Sequence, residues 1–136
     1  MERRSTRFTW NAEQEGSAEA VSTPQVQERR LRQVVEMIES EPACSIRDLA
    51  LKVSLSPAHL QRLFKQQTGT QLGSLVVERR LQKAAELLTI SNLSIKEIAH
   101  AVGYRHHSSF VRAFQRRFAQ APKYYRRHPD SAVASA

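Results

Sequence analysis

From residue 26 onward, apolar residues return at helical spacing. In "VQERRLRQVVEMIESEP" the residues Leu31, Val34, Val35 and Ile38 fall at i, i+3, i+4 and i+7. That is the stripe of an amphipathic helix, and Pro42 stops it. Ser45 and Ser94 read as N-caps, each with an acid three residues on, Asp48 and Glu97. Both therefore open short helices, the second with a regular capping box and the first with a shorter acid than the box prefers. In "SPAHLQRLFKQQTG" Ser56 is an N-cap, Pro57 takes the first helical position and Gly69 supplies the stop. Residues 72–89 predict one longer helix with Leu72, Leu75, Val76, Ala84, Leu87 and Leu88 on its core face. Its 18 residues span about 27 Å. "SSFVRAFQRRF" predicts a further helix and "PKYYRRHP" a closing one. No segment alternates as a strand does, so the expected fold is all-α. Residues 1–24 lack sustained periodicity, and they and 129–136 are expected to be disordered tails.

The pattern contains a duplication. "SIRDLALKVSL" at 45–55 returns as "SIKEIAHAVGY" at 94–104. With the alanines Ala50 and Ala99 as origins, Leu49 matches Ile98, Val53 matches Val102 and Leu55 matches Tyr104. Leu60 and Leu63 then correspond to Phe110 and Phe114 after one inserted residue. This is the inner face of a helix-turn-helix, in which the small alanine lets two helices cross closely. Gly103 stands in the turn, where glycine relieves a positive φ. Ser54 stands at the matching place in the first copy, at a cost of about 1 kcal/mol. The expected organisation is two helix-turn-helix units, 25–70 and 94–128, joined by a linker helix at 72–89. Two copies are too few for a solenoid.

Charge narrows the function. The net charge is +8, and it is uneven: residues 42–136 carry +10 and residues 1–41 carry −2. A basic excess on the repeat-bearing segments favours a polyanion partner, nucleic acid before anionic membrane. No apolar run approaches the ~18 residues of a membrane span. The arginines of the N-terminus have no apolar segment behind them, so no secretory signal is read there. The lone Cys44 cannot form an internal disulfide and reads as a small apolar residue rather than a redox sensor. These features point to the cytoplasm. "RHH" with His100 lacks carboxylates or thiolates beside it, so no metal and no cofactor is expected. No G-x-S-x-G, H-E-x-x-H or P-loop occurs, and the chain does not read as an enzyme.

The segments "SPAHLQRLFKQQTG", "ERRLQKAAELL", "SIKEIAHAVGY", "FVRAFQRRF" and "PKYYR", in this order and spacing, resemble the DNA-binding domain of AraC/XylS-family transcription regulators over about residues 29–127. The resemblance implies that 57–65 and 107–116 are recognition helices entering two successive major grooves on one face of a duplex. It also implies base-reading positions at Ala58, Gln61 and Arg62. Gln pairs with adenine, Arg with guanine, and an alanine methyl suits thymine. On the second helix Phe110, Phe114 and Phe118 form a core stripe, which leaves His107, Ser108, Val111 and Arg112 as readers. Phosphate contacts are expected from Lys65, Arg80, Lys96, Arg116 and Arg117, together with backbone N–H groups at helix starts.

The expected partner is double-stranded DNA at an asymmetric site. Both readers lie on one chain, so a monomer suffices. For an activator, the more favoured role, RNA polymerase is a further expected partner. The competing reading is a protein-interaction module that keeps the fold without specific DNA binding. Three departures support it: Ser54 in the first turn, His106 where the family usually has an acidic or small polar cap, and Ala119 where it usually has glycine. About 25 residues precede the first helix, too few for a sensor domain. A stand-alone regulator and a fragment of a longer chain both stay open.

Overall fold

The computed structural model describes residues 22–129. Among these the chain forms seven helices and no strand, an all-α fold. They are α1 (Ser22–Ser40), α2 (Ile46–Lys52), α3 (Pro57–Thr68), α4 (Leu72–Ile90), α5 (Ile95–Ala101), α6 (His107–Phe118) and α7 (Pro122–Arg127). Helix α1 starts earlier than the expected end of the tail at residue 24. Pro24 is thus in its first turn, where a missing N–H breaks no helical bond. The linker helix runs one residue past 89. The expected tails otherwise lie outside the described residues.

The duplicated motif folds twice in the same way. The Ser45 hydroxyl accepts from Asp48 N at 3.1 Å, and the Asp48 carboxylate accepts from Ser45 N at 3.3 Å. At the second copy the same pair of bonds, Ser94 with Glu97, measures 3.0 and 2.8 Å. The longer glutamate closes its return bond better, as the box chemistry requires. Past each short helix the chain closes back on its alanine: Leu55 N donates to Ala50 O at 3.0 Å and Tyr104 N to Ala99 O at 2.9 Å. Ala50 and Ala99 are both buried, as the close crossing of α2 on α3 and of α5 on α6 demands.

Two cores result, and α4 serves both. Leu72, Leu75 and Val76 belong to the first, with Leu31, Val34, Ile38, Leu49, Leu60, Leu63 and Phe64. Leu81, Ala84, Ala85 and Leu88 belong to the second, with Ile98, Val102, Phe110 and Phe114. Leu81 and Ala85 join the expected core face, while Leu87 is only half-buried against it. Phe64, Phe110 and Phe114 are wholly buried, and truncating any of them costs about 3–5 kcal/mol. Helix α7 closes the second unit through Arg126, which donates to Leu88 O at 2.9 Å and Ser91 O at 3.2 Å. These carbonyls at the end of α4 have no helical partner of their own.

The two recognition-type helices end differently. Helix α3 stops at Gly69, with φ 78°, whereas α6 stops at Ala119, with φ 61°. Ser54 also sits at positive φ, 60°. A side chain in the left-handed region costs about 1–2 kcal/mol. Relieving that strain at Ala119 outweighs the extra chain entropy that glycine loses on folding. Ala119→Gly is therefore expected to stabilise the protein by about 1 kcal/mol. Urea unfolding checks this as a higher midpoint at unchanged m-value, and an unchanged midpoint refutes it.

Candidate nucleic-acid interface

Helix α3 turns its apolar stripe inward and leaves a polar face outside. Leu60, Leu63 and Phe64 are buried, while Ala58, His59, Gln61, Arg62 and Lys65 are exposed. The Ser56 hydroxyl caps it by accepting from His59 N at 3.1 Å. Lys65 Nζ lies 3.3 Å from Gly69 O, over the C-terminal end, where a cation suits the helix dipole. The three expected base-reading positions Ala58, Gln61 and Arg62 thus share one open face.

Helix α6 repeats the arrangement with weaker ends. Phe110 and Phe114 are buried, and Phe118 packs partly against the same core. Their rings, with Tyr125, stack at centroid distances of 4.6 to 5.8 Å. His107, Ser108 and Arg112 are exposed. Val111 is half-buried against the second core, so only part of its side chain is open. Gln115 is exposed on the same face, seven residues past Ser108 and three past Arg112. The helical period alone carries it there, so the spacing could have found it. His106 stands at the cap with no side-chain bond to the helix.

The expected phosphate ligands divide. Lys96 and Arg116 are exposed. Arg117 is committed within the protein: Nε and a terminal nitrogen donate to the Glu78 carboxylate at 2.8 and 2.9 Å, a bidentate pair. The Glu78 hydrogen bond is the chief reason its pKa is raised. Arg80 also has partners within the protein. It is half-buried, its guanidinium donates to Pro42 O at 3.0 Å and Cys44 O at 3.2 Å, and it lies 5.7 Å from the centre of the Tyr104 ring. Its partners lie 36–38 residues away in sequence. No local pattern could therefore tell this inward arginine from a solvated one.

Other chemistry is sparse. Among the described residues, no three His, Cys, Asp or Glu side chains gather where they could hold a metal ion. No described helix is long and apolar enough to cross a membrane. Burial, and then Glu41 and Asp48, push the Cys44 thiol up, which leaves little thiolate at neutral pH.

Two exposed polar helices, each held by a capped short helix and a buried alanine, define a double helix-turn-helix protein. A family model described as "Helix-turn-helix domain" matches residues 49–128. The right origin-binding protein of Escherichia coli K12 is 40% identical over 86 residues, covering 63% of this chain and 30% of that protein. The raffinose operon transcriptional regulatory protein RafR of Pediococcus pentosaceus is 38% identical over 84 residues, covering 62% and 30%. The chain thus spans under a third of the length of these curated relatives. Among solved structures, an AraC-type DNA-binding-domain regulator from Chromobacterium violaceum matches with TM-score 0.62 and 30% identity, covering 74% of this chain and 92% of that one. The DNA-binding domain of AdpA, solved with a target DNA, shares the fold with TM-score 0.65 at 24% identity, covering 79% and 98%. The chain belongs to the AraC/XylS family of helix-turn-helix, DNA-binding transcription regulators.

The unequal ends of the two helices have a dynamic consequence. A missing N-cap costs about 0.5–2 kcal/mol, and α6 lacks one while α3 has it. In free protein the amides of 107–117 are expected to exchange faster with solvent than those of 57–66, and to slow when DNA binds. Equal protection of both helices without DNA would show that the phenylalanine stripe compensates for the missing cap.

Proposed function

We propose that this chain binds a specific double-stranded site by placing α3 and α6 in two successive major grooves on one face of the duplex. The observation that carries this is the same reader built twice, at opposite ends of one helix, with both outer faces open. Adjacent major grooves on one face lie about 34 Å apart. Helix α4, with 19 residues, spans about 28 Å and bears a unit at each end. Both readers lie on one chain, so a monomer suffices. They differ in sequence, so the site is asymmetric rather than palindromic. Ala58, Gln61 and Arg62 read one groove; His107, Ser108, Arg112 and the open part of Val111 read the other, with Gln115 beside them. Lys65, Lys96 and Arg116 meet phosphates, together with the backbone N–H groups that open α2, α3, α5 and α6.

The role is transcription activation, with RNA polymerase as a partner. The likeness to an operon regulator, RafR of Pediococcus pentosaceus, supports a role in transcription. The competing reading, a protein-interaction module, has the departures at Ser54, His106 and Ala119 behind it. All three are compatible with intact units, since the turns close and both helices form. A mobility shift against random duplexes, with sequencing of the retained pool, separates the two readings and yields the site.

Counterion release sets the first expectation. With some 6–10 phosphates neutralised, affinity should fall by about 10³–10⁵ between 50 and 200 mM salt. A slope near zero, or no duplex binding at low salt, removes the DNA reading.

Readout sets the second. Arg62→Ala is expected to cost about 1–3 kcal/mol on the preferred site and to relax one base position. Lys96→Ala should weaken all sequences alike. Competition titrations with specific and random DNA decide this. An equal loss on both for Arg62→Ala would make Arg62 a phosphate contact instead.

A further inference from the structure

The two cores leave a gap on α4. Its first core residues end at Val76 and its second begin at Leu81, so residues 77–80 lie between them. Among the described residues the buried apolar clusters stay separate there. What joins them is polar. Glu78 binds Arg117 of α6, and Arg79 binds Glu39 of α1 at 2.7 Å. Each of these pairs ties α4 to one unit only. Arg80 is different, because it touches both units at once. Its donors hold the carbonyls of Pro42 and Cys44 in the first unit, and its guanidinium carbon lies 5.7 Å from the centre of the Tyr104 ring in the second.

Gly103 completes the contact. A Cβ there would come within 3.0 Å of the Ala43 backbone and of the Arg80 guanidinium. The turn of the second motif is thus seated directly on the segment before α2. This explains why the two copies differ at this place. Positive φ alone does not require glycine in this chain, since Ser54 and Ala119 adopt it. Gly103 has φ 102°, beyond the left-handed well those residues occupy, and its missing side chain is the space into which the other unit fits. Arg126 offers an internal comparison. It holds carbonyls in the same manner, but both partners lie at the end of α4 against its own unit.

We propose that Arg80, seated against Gly103, is a specificity-determining positioning residue: it fixes the angle between the two recognition helices, and so the spacing of the two half-sites the protein accepts, without touching DNA. The proposal rests on the two-groove reading. Shifting one half-site by a base pair displaces it by about 3.4 Å and turns it by about 35°. A rigid pair of readers cannot follow that move, whereas a hinged pair can.

Two measurements test this. The first uses the selected site with its spacer lengthened or shortened by one base pair, read by competition binding. Wild type is expected to lose about tenfold per step. Arg80→Lys keeps the cation but lacks the planar fork that holds two carbonyls at once, and is expected to fall to a preference of about threefold or less. Arg126→Ala should keep the wild-type spacing profile. The second needs no DNA: residual dipolar couplings of the amides of each unit. Wild type should align as one body, and Arg80→Lys and Gly103→Ala as two, with the couplings within each unit unchanged.

An Arg80→Lys protein with the wild-type spacing profile overturns the proposal. So does one whose two units still share a single alignment. Should Arg80→Ala weaken every spacing equally while Arg80→Lys restores them all, Arg80 is a phosphate ligand and the proposal is wrong. A wild type indifferent to spacing removes the two-groove reading and the spacing role together. The couplings would then still report whether Arg80 holds the units as one body.

Discussion

One helix shared between two hydrophobic cores is the constraint on which this structure rests. Helix α4 gives Leu72, Leu75 and Val76 to one core and Leu81, Ala84, Ala85 and Leu88 to the other. Each unit is too small to bury much surface alone, so each depends on the half of α4 that completes it. Because a helix is stiff, completing both cores also sets the axial distance between the units. The same apolar residues that stabilise the fold therefore act as the ruler for the two polar helices outside.

Between the cores the chain changes its means of cohesion. Glu78, Arg79 and Arg80 are consecutive, and the helical rotation of about 100° per residue points them in different directions. Each finds a partner distant in sequence: Arg117, Glu39, and the Pro42 and Cys44 carbonyls. The two carbonyls lie in the segment just before α2, so Arg80 ties that segment to α4. Basic residues in such a protein thus have two duties. Arg62 and Lys65 on α3 and Arg112 and Arg116 on α6 are exposed, whereas Arg80, Arg117 and Arg126 neutralise or satisfy groups within the protein. A net positive charge therefore overstates the cations available to a polyanion.

The duplication is close in backbone and unequal in detail. Both short helices carry complete capping boxes, and both turns close on a buried alanine. The following helices diverge, with Ser56 and Gly69 bounding one and His106 and Ala119 the other. The second unit's core is the more aromatic: Phe110, Phe114, Phe118 and Tyr125 contact one another in series, where Leu60 and Leu63 stand at the places matching Phe110 and Phe114 in the first unit. Burial of large rings here adds packing beyond what leucines supply.

The sequence by itself determined the helices, their order and the two-unit plan. Each rests on short-range physics: apolar residues at 3.6-residue spacing, serine caps with an acid three residues on, and proline and glycine stops. It also determined which side of α3 and α6 is open, because Leu60, Leu63, Phe64, Phe110 and Phe114 leave only one face for Gln61, Arg62, Ser108 and Arg112. Family membership was legible for the same reason, as five motifs in fixed order. Only the tertiary structure decided which cations are engaged inside the molecule. Arg79 and Arg80 are neighbours of one chemical type, yet one pairs with Glu39 and the other enters the junction between the units. Only the tertiary structure, too, showed that Gly103 answers to Ala43 and Arg80 as well as to its own φ. These contacts join residues dozens of positions apart, and no local pattern records which distant backbone a side chain will meet once two cores have closed on one helix.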